Sequence, residues 1–177
     1  MIDGIKLVCF YGPESTGKTV MAKRMAENYN TVYVPEVARE LIHSNTFSAD
    51  DIIHIGRAQN QRVMEKVKSA NKILFCDTDI ITTQIYADEY LNDVPKSLYD
   101  LEHQITYDHY FLFDIDVPWI ADGLRDLGEK REEMFRMFKS ALEKRKIPFK
   151  HVKGTYEDRE IFLKRQIDQI LFNFPDL

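Results

Sequence analysis

A glycine-rich stretch, GPESTGKT at residues 12–19, constrains the fold of this chain more than any other feature. It follows the apolar run 7–10, which predicts a strand, and it leads into a segment that predicts a helix from about Lys18. The stretch matches the pattern G-x-x-x-x-G-K-[ST] in the strand-to-helix setting that a phosphate-binding loop requires. The sequence therefore predicts an α/β fold whose first strand and helix bind a nucleoside triphosphate.

The residue types of this loop, called the P-loop below, fit the chemistry of a triphosphate. Gly12 and Gly17 allow the backbone to turn its N–H groups toward the phosphates. Lys18 is predicted to reach the β- and γ-phosphate oxygens, and Thr19 to place its hydroxyl on Mg²⁺. The helix that follows directs the positive end of its dipole at the same phosphates. The predicted nucleotide-binding residues are Gly12, Pro13, Glu14, Ser15, Thr16, Gly17, Lys18 and Thr19.

Composition narrows the class of protein and of partner. The 177 residues, 44% of them hydrophobic, suit one domain over residues 1–177 with a sizeable core. A net charge of -5 argues against broad binding to nucleic acid, so we expect a small-molecule partner. No apolar run approaches the roughly 18 residues of a membrane span. Cys9 and Cys76 both lie in apolar runs, which favours reduced core residues and a cytoplasmic location.

An acidic residue ends a continuous apolar segment in the middle of the chain. The run 73–76 predicts a central parallel strand buried on both faces, and Asp77 follows it directly. A carboxylate at that point can hold Mg²⁺ close to the P-loop, so Asp77 and Thr19 are the predicted metal ligands. Asp79, two residues later, either caps the next helix or enters a substrate pocket.

A second acidic strand end comes earlier in the chain. Residues 31–34 predict a short strand, and Glu36 follows it after a proline. In open α/β sheets the carboxyl ends of the strands face the ligand, which makes Glu36 a candidate pocket residue. Arg39 lies either on the same pocket wall or on a solvent-facing helix.

The segment 119–131 has the features of a lid. It is highly charged and contains glycine, and its Arg125 and Arg131 can neutralise charge on a transferred phosphoryl group. A solvated charged surface is the alternative for both arginines. Trp119 either stacks on a flat substrate ring or anchors the loop in the core, and Asp122 can accept hydrogen bonds from hydroxyl groups.

Four motifs resemble one family when they are taken together in chain order: GPESTGKT at 12–19, VPEVARE at 34–40, DTDIITT at 77–83 and WIADGLR at 119–125. The chain resembles the nicotinamide riboside kinase domain at the carboxyl end of NadR-type regulators of NAD biosynthesis. This resemblance implies a three-layer P-loop NTPase fold with a five-stranded parallel sheet, helices on both faces and a lid. It also implies a kinase that uses ATP and Mg²⁺. The chain departs from the family pattern in having no preceding adenylyltransferase or DNA-binding domain, so we expect a stand-alone kinase domain.

The resemblance implies that ATP phosphorylates the 5′-hydroxyl of a riboside, with nicotinamide riboside the expected acceptor. Glu36 or Asp79 would accept the hydroxyl proton, and Glu36 is slightly favoured. Trp119 and Asp122 would hold the riboside with Arg39 nearby, while Arg125 would clamp the γ-phosphoryl group.

Some alternatives stay open at the level of sequence. Arg159, expected in the loop after the last strand, either contacts adenine or pairs with Asp158. The P-loop could serve an ATP-hydrolysing regulatory module with no acceptor, or a kinase for another nucleoside or nucleotide. The sequence does not determine the oligomeric state.

Overall fold

The described residues form one parallel β-sheet. A computed structural model of the chain describes residues 4–42, 44, 46–121 and 126–172. Its strands are β1 Lys6–Tyr11, β2 Tyr33–Val34, β3 Ile73–Asp77, β4 His109–Phe113 and β5 Phe149–Val152. They lie in the order β2-β3-β1-β4-β5, and every pair is parallel. The predicted five-stranded parallel sheet is therefore confirmed, with the P-loop strand β1 at its centre.

The helices connect these strands and cover both faces of the sheet. They are α1 Lys18–Asn28, α2 Ala38–Leu41, α3 Ala49–Lys66, α4 Ile80–Leu91, α5 Lys96–Glu102, α6 Arg131–Lys144 and α7 Tyr156–Phe172. Within the described ranges, no helix is both long and apolar enough to span a bilayer.

Alternation along β1 explains the three layers. Val8 and Phe10 belong to a core cluster that includes residues of α1 and α7. Cys9 and Tyr11 point to the other face, where they pack with residues of α4 and α6. A strand whose successive side chains are all buried needs helices on both sides, as its near-continuous apolar sequence predicts.

Several boundaries differ from the predicted ones. β2 pairs only over Tyr33–Val34, two residues fewer than the run 31–34 predicts. The Thr31 hydroxyl donates to the Ile73 carbonyl oxygen at 2.7 Å and accepts from Asn71, so a side chain makes the link there. β5 is an edge strand, which agrees with the tolerance of such strands for the proline at 148.

Candidate functional site

The P-loop begins at the carboxyl end of β1 and passes very close to β4. Gly12 has φ +137°, and a Cβ atom there would lie 2.8 Å from the carbonyl oxygen of Phe113. Gly17 has φ +83°, and a Cβ atom there would lie 3.0 Å from the ring of Tyr156. Both positions therefore require glycine for backbone conformation and for space. The aromatic ring of Tyr156 lies over the turn into α1.

The Lys18 ammonium group lies inside the P-loop. Its Nζ donates to the carbonyl oxygen of Pro13 at 2.6 Å, and the side chain is almost fully buried. The Thr16 hydroxyl donates to the same carbonyl oxygen at 2.9 Å. These bonds hold a positive charge at the first turn of α1, where the helix dipole also favours anions.

Arg159 lies in helix α7 and contacts the P-loop, rather than lying in a surface loop. It is fully buried in the first turns of α7, so the predicted loop position is wrong. The Thr155 hydroxyl accepts a hydrogen bond from the Asp158 backbone N–H and donates to the Asp158 carboxylate, and these bonds start α7 one residue after Thr155. Asp158 is therefore part of the helix cap, and the acid that pairs with Arg159 is Asp116.

The guanidinium group of Arg159 joins three parts of the chain. It donates to the carbonyl oxygens of Thr16 in the P-loop, of Gly154 at 2.9 Å and of Asp114 at 3.0 Å. Its contact with the Asp116 carboxylate completes the set. Arg159 thus fixes the P-loop against the ends of β4 and β5.

Thr19 and Asp77 meet where the sequence predicts the metal site. The Thr19 hydroxyl, in the first turn of α1, donates to Asp77 Oδ2 at the end of β3 at 2.5 Å. Among the described residues, Asp77 Oδ1 is buried and has no hydrogen-bond partner. Burial, followed by the negative charge of Glu36, raises the pKa of Asp77 to about 6.

This arrangement fits a Mg²⁺ site completed by phosphate oxygens. A hydroxyl oxygen and a buried carboxylate oxygen with an unused acceptor site are hard donors of the kind Mg²⁺ prefers. The described residues contain no group of three or more His, Cys, Asp or Glu that could hold a metal alone. Thr19 and Asp77 would hold the metal, which would supply positive charge beside the bound phosphates.

The residue after Asp77 adopts an unusual backbone conformation. Thr78 has φ +72°, which is rare for a β-branched residue, and its N–H donates to the Phe10 carbonyl oxygen at 3.0 Å. This left-handed turn leaves Asp77 on β3 and places Asp79 at the start of α4. Such strain tends to lie at functional sites, and Thr78 also lines the pocket described below.

Asp79 caps α4 and is enclosed by protein. Its Oδ1 accepts from the Thr82 backbone N–H at 3.0 Å, and its Oδ2 accepts from the Tyr110 hydroxyl at 2.9 Å. Burial raises the pKa of Asp79 to about 6, although these donors oppose the shift. Only 2% of the Asp79 surface is exposed, and the residue does not line the pocket described below.

A pocket opens at the carboxyl edge of the sheet beside the P-loop. Its volume is about 750 Å³ with its open mouth included, a size that suits a small organic ligand. Aromatic and aliphatic side chains dominate its wall. The lining residues are Glu14, Glu36, Ala38, Arg39, Ile42, Phe47, Ile52, Ile55, Gln59, Thr78, Thr82, Thr83, Tyr86 and Tyr90.

Glu36 and Arg39 lie together on one wall of this pocket. Arg39 Nε donates to Glu36 Oε2 at 2.9 Å, and both side chains are partly exposed. Gln59 of α3 supports this wall, because its Oε1 accepts from the Val37 N–H at 3.0 Å and its Nε2 lies 3.5 Å from the Asp77 carbonyl oxygen. Gln59 thereby links the backbone next to Glu36 to the end of β3.

The two described flanks of the 119–131 segment are bound to the P-loop. Trp119 Nε1 donates to Glu14 Oε1 at 3.1 Å, and Arg131 donates to the Ser15 carbonyl oxygen at 3.1 Å. Burial, followed by the nearby charge of Arg159, lowers the pKa of Arg131. Trp119 does not line the pocket. Asp122 and Arg125 lie outside the described residues.

Sequence reasoning missed the aromatic part of the pocket. Phe47 and Tyr90 meet edge to face with ring centroids 5.1 Å apart, and Tyr86 stacks against Tyr90 at 6.3 Å. The spacing of Tyr86 and Tyr90 at i and i+4 places them on one face of α4, which was the available signal. Gln59 and Phe47 carry no such signal in the sequence.

Comparison with known proteins identifies the family of the chain. The model of a family described as "AAA domain" matches residues 7–159, which includes the P-loop, β3 and the start of α7. The chain belongs to this AAA domain family.

Two curated relatives extend the comparison. The chain is 31% identical over 166 residues to the trifunctional NAD biosynthesis/regulator protein NadR of Salmonella typhimurium, and equally to that of Escherichia coli. Each alignment covers 88% of the chain but 40% of the relative, so the chain spans less than half the length of either protein. The resemblance to NadR-type proteins that the four motifs indicate is confirmed.

Solved structures show the same fold. A NadR protein in complex with NR superposes with a TM-score of 0.81 at 23% identity, covering 99% of this chain and 54% of that chain. A thymidylate kinase from Ehrlichia chaffeensis gives 0.63 at 17% identity, covering 95% of this chain and 99% of that chain. The predicted P-loop α/β fold is confirmed.

Proposed function

We propose that this protein is a kinase that transfers the γ-phosphoryl group of ATP to the 5′-hydroxyl of a riboside. The observation that carries the proposal is the pocket with Glu36 on its wall and Glu14 of the P-loop at its border. An acceptor bound there would lie next to the phosphates that the P-loop holds. Nicotinamide riboside is the favoured acceptor, since the NadR relatives are named for NAD biosynthesis and a related structure holds NR.

Glu36 is the proposed general base. A base must come within hydrogen-bond reach of the hydroxyl proton, and Glu36 is a partly exposed carboxylate on the pocket wall. Asp79 meets this condition less well, because Thr82 and Tyr110 already donate to its two oxygens. We therefore assign Asp79 the task of holding α4 and Tyr110, and Arg39 that of orienting Glu36.

The P-loop residues hold the donor. Lys18 neutralises charge on the phosphates, and the backbone N–H groups of the loop bind their oxygens. Thr19 and Asp77 would hold Mg²⁺, which when bound would neutralise charge on the β- and γ-phosphates. Arg131 approaches the same loop from α6, and Arg125 is proposed to act with it in the lid at about 119–131.

Two further parts of the proposal concern the substrate and the compartment. The aromatic pair Tyr86 and Tyr90 offers flat surfaces for the base of the riboside, with Asp122 proposed to bind its hydroxyl groups. Cys9 and Cys76 are buried free thiols, which supports a reducing, cytoplasmic location.

A different nucleoside is the second candidate acceptor. Deoxyadenosine kinase from M. mycoides superposes with a TM-score of 0.66 at 13% identity, which shows that this fold also serves such kinases. A regulatory module that only hydrolyses ATP is less well supported, since it would need no acceptor pocket beside the P-loop.

Replacing Glu36 with glutamine tests the base. The expected result is a fall in kcat of at least about a hundredfold with little change in the KM for ATP, because general-base catalysis typically contributes that much. Glu40→Gln is the matched control, as Glu40 is exposed and pairs with Arg62 outside the pocket wall. Wild-type kcat in Glu36→Gln would remove Glu36 from the mechanism.

A further inference from the structure

The P-loop contains a carboxylate whose bonds reach outside the loop. Glu14 Oε1 accepts two hydrogen bonds, from Trp119 Nε1 and from the Leu127 backbone N–H, each at 3.1 Å. These donors lie on the two flanks of the lid segment. One side chain of the P-loop therefore holds both flanks.

The next residue of the loop repeats this connection. Ser15 Oγ accepts from the Ile120 N–H at 2.8 Å, and the Ser15 carbonyl oxygen accepts from Arg131 at 3.1 Å. Leu127 is buried among residues of β1, β4 and α6. The position of α6, and of Arg131 at its start, is thus linked to the P-loop through residues 14 and 15.

Packing fixes the tryptophan in the same place. A Cβ atom at Gly128 would lie 2.9 Å from Cε2 of Trp119, so the indole ring lies directly on the backbone of the 3₁₀ turn before α6. The hydrogen bond to Glu14 then orients the ring edge toward the P-loop. Trp119 therefore lies between Glu14 and Gly128 and contacts both.

A negative charge beside a phosphate site is unfavourable for binding ATP in itself. Two carboxylates or phosphates near one another repel, and the effect increases where water is partly excluded. Glu14 is half-buried and borders the acceptor pocket. Its charge is therefore expected to weaken ATP binding slightly. A favourable role of the Glu14 side chain would lie in its hydrogen bonds.

We propose that Glu14 is a positioning residue, which holds Trp119 and Leu127 on the P-loop so that Arg131 faces the phosphate site. The proposal rests on the kinase function above for its effect on turnover. It makes Glu14 a residue that raises kcat without improving the binding of ATP. A residue that merely kept the P-loop folded would instead improve the binding of ATP.

The test combines kinetics with the fluorescence of Trp119, which is the single tryptophan of the chain. Glu14→Ala is expected to lower kcat about tenfold, the loss that follows when a positioned charge-assisted hydrogen bond is removed. The KM for ATP should stay unchanged or fall, because a repulsive charge is lost. Glu14→Gln keeps an acceptor oxygen, so its kcat should lie between those of Glu14→Ala and the wild type.

Two further variants isolate the link. Trp119→Phe keeps an aromatic ring over Gly128 but removes the indole donor, so it should lower kcat in the same direction as Glu14→Ala. The double variant Glu14→Ala/Trp119→Phe should have a kcat within about twofold of that of Glu14→Ala, because both changes break the same connection. Glu129→Gln, an exposed acid of the same segment, should behave as the wild type.

The fluorescence measurement needs no acceptor and no turnover. Acrylamide should quench Trp119 more strongly in Glu14→Ala than in the wild type or Glu129→Gln, with ATP present or absent. Unchanged quenching, a wild-type kcat, or a loss confined to the KM for ATP would each overturn the proposal. If Glu14→Ala does not fold, Glu14→Gln provides both the kinetic and the quenching comparison, and Trp119→Phe, which has no tryptophan left, provides the kinetic one.

Quenching and ATP binding can be measured whether or not a riboside is phosphorylated. If no riboside were phosphorylated by the wild-type protein, the kinase assignment would fail while quenching and ATP binding still tested the link. Increased quenching with undiminished ATP affinity would then support the positioning role of Glu14, and unchanged quenching would refute it.

Discussion

Replacing Arg159 with methionine should destabilise the protein through the P-loop. The change leaves the carbonyl oxygens of Thr16, Gly154 and Asp114 without their donor, and it leaves Asp116 without its cation. Breaking a buried charge pair by removing one partner costs about 3–5 kcal/mol. Because the Asp116 side chain is 37% exposed and water can solvate it, we expect the lower end, about 3 kcal/mol.

Urea denaturation followed by circular dichroism measures this loss. With an m value of about 2 kcal/mol/M, a loss of about 3 kcal/mol lowers the midpoint by about 1.5 M. Arg165→Met is the matched control, since Arg165 is an exposed arginine of the same helix α7. Equal midpoints for the two variants would refute the reasoning. Arg159→Lys should also be destabilised, because one ammonium group cannot reproduce the planar guanidinium contacts.

Two further substitutions test separate parts of the structure. Asp77→Asn should raise the Mg²⁺ concentration needed for half-maximal activity by at least about tenfold, and an unchanged magnesium dependence in titrations would contradict the assigned metal site. Lys146 is exposed and has φ +56° just after α6, where its N–H donates to Glu143 and the next N–H donates to Leu142. Lys146→Gly should therefore raise the unfolding free energy by about 1 kcal/mol, whereas the control Lys139→Gly, at an exposed lysine in the middle of α6, should lower it by about the same amount. Chemical denaturation compares the two, and destabilisation by Lys146→Gly would show that this turn is not strained.

The parts of the fold that the sequence predicted well are those with strong local signals. The P-loop pattern and the apolar run before Asp77 depend on neighbouring residues, and the structure has the predicted strand or helix at each. The parallel sheet follows from alternating strand and helix signals. The closeness of Thr19 to Asp77 followed from the rule that strand ends share one edge.

The partners of single side chains could not be predicted in the same way. Arg159 pairs with Asp116, which is 43 residues away, rather than with its neighbour Asp158. The choice depends on how α7 packs below the P-loop, and a sequence pattern does not contain that information. The same holds for Glu14 and Trp119, which are 105 residues apart.

The pocket shows a similar limit. Glu36 and Arg39 were predicted to lie on its wall and do so, while Asp79 and Trp119 were candidates that the structure places elsewhere. Both of those side chains have polar groups that protein partners engage, Asp79 through Thr82 and Trp119 through Glu14. Local sequence placed Asp79 after a strand and Trp119 in the lid segment, but it did not show which neighbours would engage them.

The most direct test of the proposed kinase function is an assay of ADP release with nicotinamide riboside, other nucleosides and no acceptor. Mass spectrometry of the products identifies any phosphorylated riboside, and Lys18→Ala serves as the variant without the P-loop charge. We predict that nicotinamide riboside stimulates ADP release and gains one phosphate for each ADP formed, and that Lys18→Ala loses this activity by at least about a hundredfold. ADP release at one rate with every acceptor and without any, with no phosphorylated product, would contradict the proposed function.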